Sequence, residues 1–208
     1  MLENTSTSRF LDQLASAAPT PGGGGAAALM GATGAALVSM VAHLTLGKKG
    51  YESREAAARA LLADSEALRA RTMPMVADDA RAFDGLMAAY RLPKGTDAEK
   101  AARSQAIQAG LMAATLAPLH CARAAAEGIR LAARALDISH PSVISDVGVA
   151  VLASVAALRS AALNVKINLP QLQDRVVAQQ AQAELEALLA QCLPLGEKVQ
   201  DGVAAALG

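Results

Sequence analysis

Along almost the whole chain the apolar positions recur at helical spacing, and no segment alternates strictly enough to read as a strand. Residues 6–17 read as a short first helix that ends before Pro19, and residues 25–47 as a second, almost wholly apolar one. Ser53 is placed to cap a third, with Leu61, Leu68, Met75, Val76, Phe83, Met87 and Tyr90 along one stripe and a kink expected at Pro74. Leu92-Pro93-Lys94-Gly95 ends it. Thr96 followed by Glu99 forms a capping box, which starts a fourth helix running to about Leu136 and interrupted at Pro118. A fifth begins near Ser145 with Val151, Val155, Leu158 and Ala162 on one face, and a sixth follows Pro170 with Leu185, Leu188, Leu189, Cys192, Leu195 and Val199 in register. The pattern predicts an all-α fold, an up-and-down bundle of long, kinked helices joined by short turns. An unbroken helix over 53–91 would be about 58 Å long, more than the diameter of the globule, so it must bend or project.

Composition sharpens this picture. The 208 residues contain no Trp, two Phe and two Tyr, leaving Ala, Leu, Val and Met to fill the interior, so the helices must approach closely. One domain over 1–208 is expected. Alanine-rich stripes on the second, fourth and fifth predicted helices exceed what one bundle covers, and predict a homodimer. Nineteen basic residues balance nineteen acidic ones, so no global field recruits nucleic acid or an acidic membrane face. Cys121 and Cys192 are too few and too far apart for a disulfide framework, and read as reduced residues of a cytoplasmic protein. The amino terminus lacks a basic leader followed by an apolar core. Ala26–Leu46 is long enough for a membrane span, but its small residues and His43 favour close helix packing instead.

The most distinctive stretch joins a Pro-Thr-Pro turn to four glycines, Gly22, Gly23, Gly24 and Gly25, and then to the apolar second helix. Proline fixes the turn and glycine removes every Cβ, so a bare backbone opens a helix. Free N–H groups there, aided by the helix dipole, attract an anionic or strongly polar ligand. The competing reading is a flexible hinge, but linker glycines usually sit among polar residues, whereas these are braced by Pro19 and Pro21.

Polar groups on apolar stripes are the remaining candidates. Asp79 lies three residues after Val76 and four before Phe83, on the inward stripe, where a carboxylate is costly unless paired. A salt bridge to a neighbouring arginine is the structural alternative. Asp146 sits at a predicted helix start, where the dipole favours negative charge. Asn164 and Asn168 flank a predicted helix break, and Lys49 and Tyr51 lie in a turn. His43, His120 and His140 share no ligand spacing, so a metal site is not expected, and the glycine run matches neither a Walker nor a Rossmann pattern.

Taken together, PTPGGGG with the following AAALMGATGAALVSMVAHLTLGKKGYE, DARAF at 79–83, LPK at 92–94, SDVGVA at 145–150 and NVKINL at 164–169 resemble the cyclodeaminase/cyclohydrolase family. The resemblance runs in order over nearly the whole chain. One departure stands out: the family motif usually reads PGGGS, whereas this chain has Gly25. The resemblance implies a dimeric, cofactor-free helical enzyme acting on one-carbon tetrahydrofolates, by cyclohydrolase or cyclodeaminase chemistry. On it, Asp146 and Asp79 are the candidate catalytic carboxylates, with Lys49 as polarising group or proton donor. Tyr51 would shape the pocket, Pro21 and Gly22–Gly25 would hold the folate by backbone contacts, and Asn164 and Asn168 would bond the pterin edge. A catalytically silent dimerisation module is the competing class.

Overall fold

The computed structural model describes residues 6–208; the first five residues, part of the stretch read as lacking a secretory leader, lie outside it. Among the described residues there are seven α-helices, three short 3-10 turns and no strand, which makes the fold all-α as the periodicity predicts. The helices are α1 (Thr7–Leu14), α2 (Gly23–Thr45), α3 (Glu55–Thr72), α4 (Met75–Tyr90), α5 (Asp97–Ile138), α6 (Ile144–Asn168) and α7 (Arg175–Leu207).

Two predicted boundaries move for physical reasons. The expected kinked helix over 53–91 is two helices: Pro74, with no N–H to give, stands at the start of α4 and leaves a break after Thr72. Ser53 does not cap α3; it lies in a 3-10 turn over Glu52–Arg54, and α3 begins without a side-chain cap. The long helix is instead α5, whose 42 residues pass through Pro118 without a break and span about 62 Å. Its start is the capping box, with Thr96 Oγ1 accepting from the Glu99 N–H at 3.2 Å and the Glu99 carboxylate accepting from the Thr96 N–H at 2.8 Å.

Side-chain pairs set the helix directions. Ser39 meets Ser65 and Gly31 meets Thr72, so α2 and α3 are antiparallel. Arg71 pairs with Glu127 and Arg134 with Asp64, which turns α5 against α3. Gly23 neighbours Asn164, Gly31 neighbours Ala157 and Gly34 neighbours Ser154, so α6 descends beside α2 as α2 rises. α5 packs behind α2, α3, α4, α6 and α7. The interior is built from Ala, Val and Leu, with Val38, Val41, Leu61, Leu68, Leu119, Ile129, Val147, Val151 and Leu158 all but inaccessible. Past the ends of α2 and α6, a second small core of Leu86, Leu111, Leu172 and Ala178 joins α4, α5 and the start of α7.

The tightest crossing is at Ser154, which is wholly buried between Gly34 of α2 and Gly128 of α5. A Cβ on Gly34 would collide with Ser154 Oγ and stand 2.9 Å from the Ala150 carbonyl; one on Gly128 would stand 2.8 Å from Ser154 Oγ. By length and composition, α2 and the segment Pro141–Gln171 could each cross a membrane; 61% and 50% of their apolar windows are buried within the bundle. Met40 and Leu44 of α2 and Val149, Leu152, Leu163 and Ile167 of α6 are exposed apolar side chains, with Arg159 and Lys166 exposed on α6 among them. We predict that Gly34→Ala destabilises the fold by about 1–3 kcal/mol in urea unfolding, because overpacking forces rigid helices apart. Gly85→Ala, whose Cβ would meet open space, should instead stabilise by up to about 1 kcal/mol.

Candidate active site

The glycines do not precede a helix; they are its first turn. Gly22 is the N-cap of α2 and Gly23, Gly24 and Gly25 are its first three residues, while the Ala26 N–H is the first to bond back, to the Gly22 carbonyl at 3.1 Å. Helix geometry therefore leaves the N–H groups of Gly23–Gly25 without partners inside α2, at the positive end of its dipole. The Thr20–Pro21 peptide ahead of them is cis.

Asp79, in the second turn of α4, is laid directly against this terminus. A Cβ on Gly24 would overlap the Asp79 carboxylate, standing 2.6 Å from Oδ2 even at the farther oxygen, so only glycine lets backbone and carboxylate meet. The arginine partner considered for Asp79 is not present: among the described residues it forms no ion pair, whereas its neighbour Asp78 pairs with Arg81. Burial pushes the Asp79 pKa above the ordinary carboxylate value, opposed by the Gly25 N–H. Nearby Cys121 is a buried thiol whose pKa is pushed up to about 12 by burial and then by the Asp79 charge, which leaves it unreactive.

These groups face a cavity of about 380 Å³, within the range of small-molecule sites. Gly22, Gly23, Gly24 and Asp79 form one wall, Asn164 and Asn168 of α6 another, and Phe83, Met87 and Tyr90 an apolar third. The asparagines are held by their own hydrogen bonds. Asn164 Nδ2 donates to the Ser160 carbonyl at 2.9 Å. Asn168 Nδ2 donates to the Asn164 carbonyl at 3.1 Å and to the Ala114 carbonyl of α5 at 2.8 Å. Pro118 explains the second bond: with no N–H, it cannot bond the carbonyl four residues back, and that carbonyl belongs to Ala114. The proline thus frees an acceptor that fixes Asn168, both of whose amide hydrogens are then used while its Oδ1 can still accept.

One chain brings together only part of the expected set. Gly22, Gly23, Gly24, Asp79, Asn164 and Asn168 line the cavity; Pro21 is buried behind the loop and Gly25 packs against Pro21 and Val76. Lys49, Tyr51 and Asp146 lie elsewhere. About 33 Å of rigid helix separates Gly23 from Thr45, and Lys49 and Tyr51 follow that far end. Asp146 is in the first turn of α6, level with Ala42 by the α2–α6 register. Tyr51 there stacks edge-on to His140 at 5.8 Å between ring centroids and lies under the Arg54 guanidinium at 4.9 Å. Residues that sequence reasoning placed in the core, Phe83, Met87 and Tyr90, instead form the cavity's apolar wall, and Pro118 was read only as an interruption. The signal for the wall was present, since Asp79, Phe83, Met87 and Tyr90 follow one another at helical spacing.

An all-α bundle with a carboxylate set against a glycine-opened helix defines a small-molecule pocket of the kind enzymes use. The family model for formiminotransferase-cyclodeaminase matches residues 6–187, and the chain belongs to that family. It is 53% identical to the methenyltetrahydrofolate cyclohydrolase of Methylorubrum extorquens, over 98% of each chain. It is 32% identical to the mouse formimidoyltransferase-cyclodeaminase over 90% of its own length, spanning 35% of that longer protein. Among solved structures, formiminotetrahydrofolate cyclodeaminase from Thermotoga maritima superimposes with a TM-score of 0.89 over the whole of both chains at 26% identity.

The contact between Gly24 and Asp79 can be tested without a ligand. Gly24→Ala should lower stability by about 1–3 kcal/mol, and most of that loss should vanish when Asp79 is also replaced by Ala. Urea unfolding of the two single variants and the double variant measures the coupling.

Proposed function

We propose that this chain hydrolyses 5,10-methenyltetrahydrofolate to 10-formyltetrahydrofolate in the cavity between Gly22–Gly24, Asp79, Asn164 and Asn168. The observation that carries the reading is a half-buried carboxylate that forms no ion pair among the described residues, in a chain so similar over its whole length to a methenyltetrahydrofolate cyclohydrolase. The substrate supplies the missing charge. Its methenyl bridge is a cation, and Asp79 is the one acidic side chain on the cavity wall among the described residues.

The chemistry follows from these groups. Water attacks the methenyl carbon, Asp79 takes a proton from that water, and a C–O bond replaces the C=N+ character of the bridge. The bond from this carbon to N5 then breaks, its electron pair stays on N5, and N5 takes up a proton as the adduct hydroxyl becomes the formyl carbonyl. The carbon is already electrophilic, so the reaction requires neither a metal nor a redox cofactor. Asn168 Oδ1 accepts from the donor edge of the pterin, Phe83 and Tyr90 cover its faces, and the N–H groups of Gly23 and Gly24 bind a pterin or formyl oxygen. The protein acts as a homodimer, a single domain in the cytoplasm, where two free buried thiols persist. Loss of ammonia from 5-formiminotetrahydrofolate is the second reading, favoured by the whole-chain likeness to the Thermotoga protein. Purified protein supplied with each folate separates the two, by decay of the methenyl chromophore or by ammonia release.

Asp79→Asn should slow chromophore decay by about 10²- to 10⁴-fold, the usual contribution of a general base, with the fold intact by circular dichroism. An undiminished rate would remove Asp79 from the chemistry. Wild-type kcat/KM, which reports the free protein, should also fall on acidification at a pH above the ordinary Asp value. The reason is the sign of the shift: the working form is ionised, and burial raises the pH at which it is lost. The same burial makes the ionised side chain unfavourable, so folding stability declines as pH rises through this pKa, and Asp79→Asn should melt above wild type at neutral pH. Pro118→Ala restores an N–H for the Ala114 carbonyl and releases Asn168. It should weaken folate binding several-fold, measured by equilibrium titration, without lowering the melting temperature.

A further inference from the structure

Past Tyr90 the surroundings of the cavity change character. The cavity wall holds one carboxylate and, among the described residues, no Lys, Arg or His. Beside it lies a second cleft, of about 380 Å³, whose wall holds three cations, Lys94, Lys100 and Arg103, and no acidic side chain among the described residues. The two share a rim. Tyr90 and Gln171 line the cavity, with the Tyr90 hydroxyl 3.5 Å from Gln171 Oε1. From the cleft, Arg103 donates through Nε and Nη2 to the Tyr90 carbonyl at 3.3 and 3.1 Å, and its guanidinium stands 5.9 Å from the centre of the Tyr90 ring. Gln108, also on the cleft wall, donates to the Gln171 carbonyl at 3.2 Å and accepts from the Gln173 N–H at 2.8 Å. The cleft side chains therefore hold the rim of the cavity.

Resting on the folate reading above, we infer that the Lys94–Lys100–Arg103 cleft binds the outer carboxylates of a γ-linked glutamate tail on the substrate. Length decides which carboxylates these are. Asp79, Phe83, Met87 and Tyr90 follow one stripe of α4 along the cavity wall, and the eleven residues from Asp79 to Tyr90 rise about 16 Å. A p-aminobenzoyl-glutamate arm extended from a methenyl bridge beside Asp79 carries its first carboxylates about 10 Å, and each further γ-linked glutamate adds about 6 Å at ordinary bond lengths. The first carboxylates stop against the cation-free wall; those of the second and third glutamates reach the cleft. Its cations are open to them. Lys94 and Lys100 are exposed and Arg103 is half-buried; Lys100 pairs with Asp97 at 2.8 Å, while Lys94 and Arg103 pair with no carboxylate among the described residues. Arg103 spends Nε and Nη2 on the Tyr90 carbonyl, which leaves its Nη1 hydrogens to donate. A nucleic-acid backbone is the poorer occupant, because three cations in one cleft do not make an extended basic surface and the chain has no net charge.

Equilibrium titration with tetrahydrofolates carrying one, two or three γ-linked glutamates tests this without turnover. Wild-type affinity should rise about three- to tenfold from one glutamate to three, the scale of two exposed charge pairs. That gain should vanish at about 1 M salt, where the screening length is about 3 Å. In a variant carrying both Lys94→Gln and Lys100→Gln, two changes at exposed side chains, the ratio of the one-glutamate to the three-glutamate Kd should fall below about two. No gain in the wild type, or an equal gain in the variant, overturns the inference. Free tri-γ-glutamate is the control for source. It should bind far more weakly than the linked tail, which the pterin holds beside the cleft at a high effective concentration. Equally tight binding of the free peptide also overturns the inference, since the cleft would then serve an independent anion. The two readings fail separately: if none of the three folates binds, the folate reading falls and the tail site with it, whereas folates that bind without regard to tail length remove the tail site alone.

Discussion

Everything in this molecule that bears on function depends on how closely α2, α5 and α6 approach one another at Ser154. Its side chain occupies the space that Cβ atoms on Gly34 and Gly128 would need, and its Oγ bonds the Ala150 carbonyl at 2.9 Å, so the hydroxyl is buried without an unmet hydrogen bond. With small residues on both sides, the three helices lock in one register. That register decides which residues share an end: Gly23 beside Asn164 at one, Ala42 level with Asp146 at the other. A wider crossing would leave the glycine terminus and the asparagines too far apart to line one cavity.

The fold was legible because its signals are local. The capping box at Thr96 and Glu99, the breaks at Pro19 and Pro93, and the apolar period of each segment are properties of a few neighbouring residues, and apart from the expected 53–91 helix, which is two, each helix formed within a few positions of its expected place. What local pattern could not decide was the effect of proline within a long apolar run. Pro74 ended a helix while Pro118 did not, and the carbonyl that Pro118 leaves open finds a donor in Asn168, fifty residues further on. At Pro118 tertiary structure supplies the missing partner, which sequence spacing does not show; α7 likewise continues through Pro194.

The site was legible in part for the same reason. Asp79 stood out because a carboxylate interrupted an apolar stripe, and the glycines because four of them open a helix; both signals are local and both lie on the cavity wall. Grouping Lys49, Tyr51 and Asp146 with them came from a family resemblance, which collects residues without regard to which chain they occupy. In one chain those three lie a helix length away. The alanine-rich stripes on α2, α5 and α6 read as excess surface; the structure leaves no large apolar side chain of α5 exposed, but leaves Leu163 and Ile167 of α6 open beside the cavity.

Leaving Asp79 without a cationic side chain has a consequence for the direction of the proposed reaction. A half-buried carboxylate with a raised pKa is a poorer anion when the cavity holds only solvent, but a cationic methenyl bridge placed beside it would stabilise the ionised form and lower that pKa. In the proposed reaction, binding would therefore ready Asp79 to act as the base. Once water has added, the bridge is neutral, the stabilising charge is gone, and Asp79 returns to an environment that favours its protonated form. The proton from the attacking water is thus taken up as the substrate's charge disappears. An arginine partner would remove this coupling, because it would hold Asp79 ionised before and after the attack alike. The cost of burying an unpaired carboxylate in the folded protein is consistent with a group whose counter-ion arrives with the substrate and leaves with the reaction.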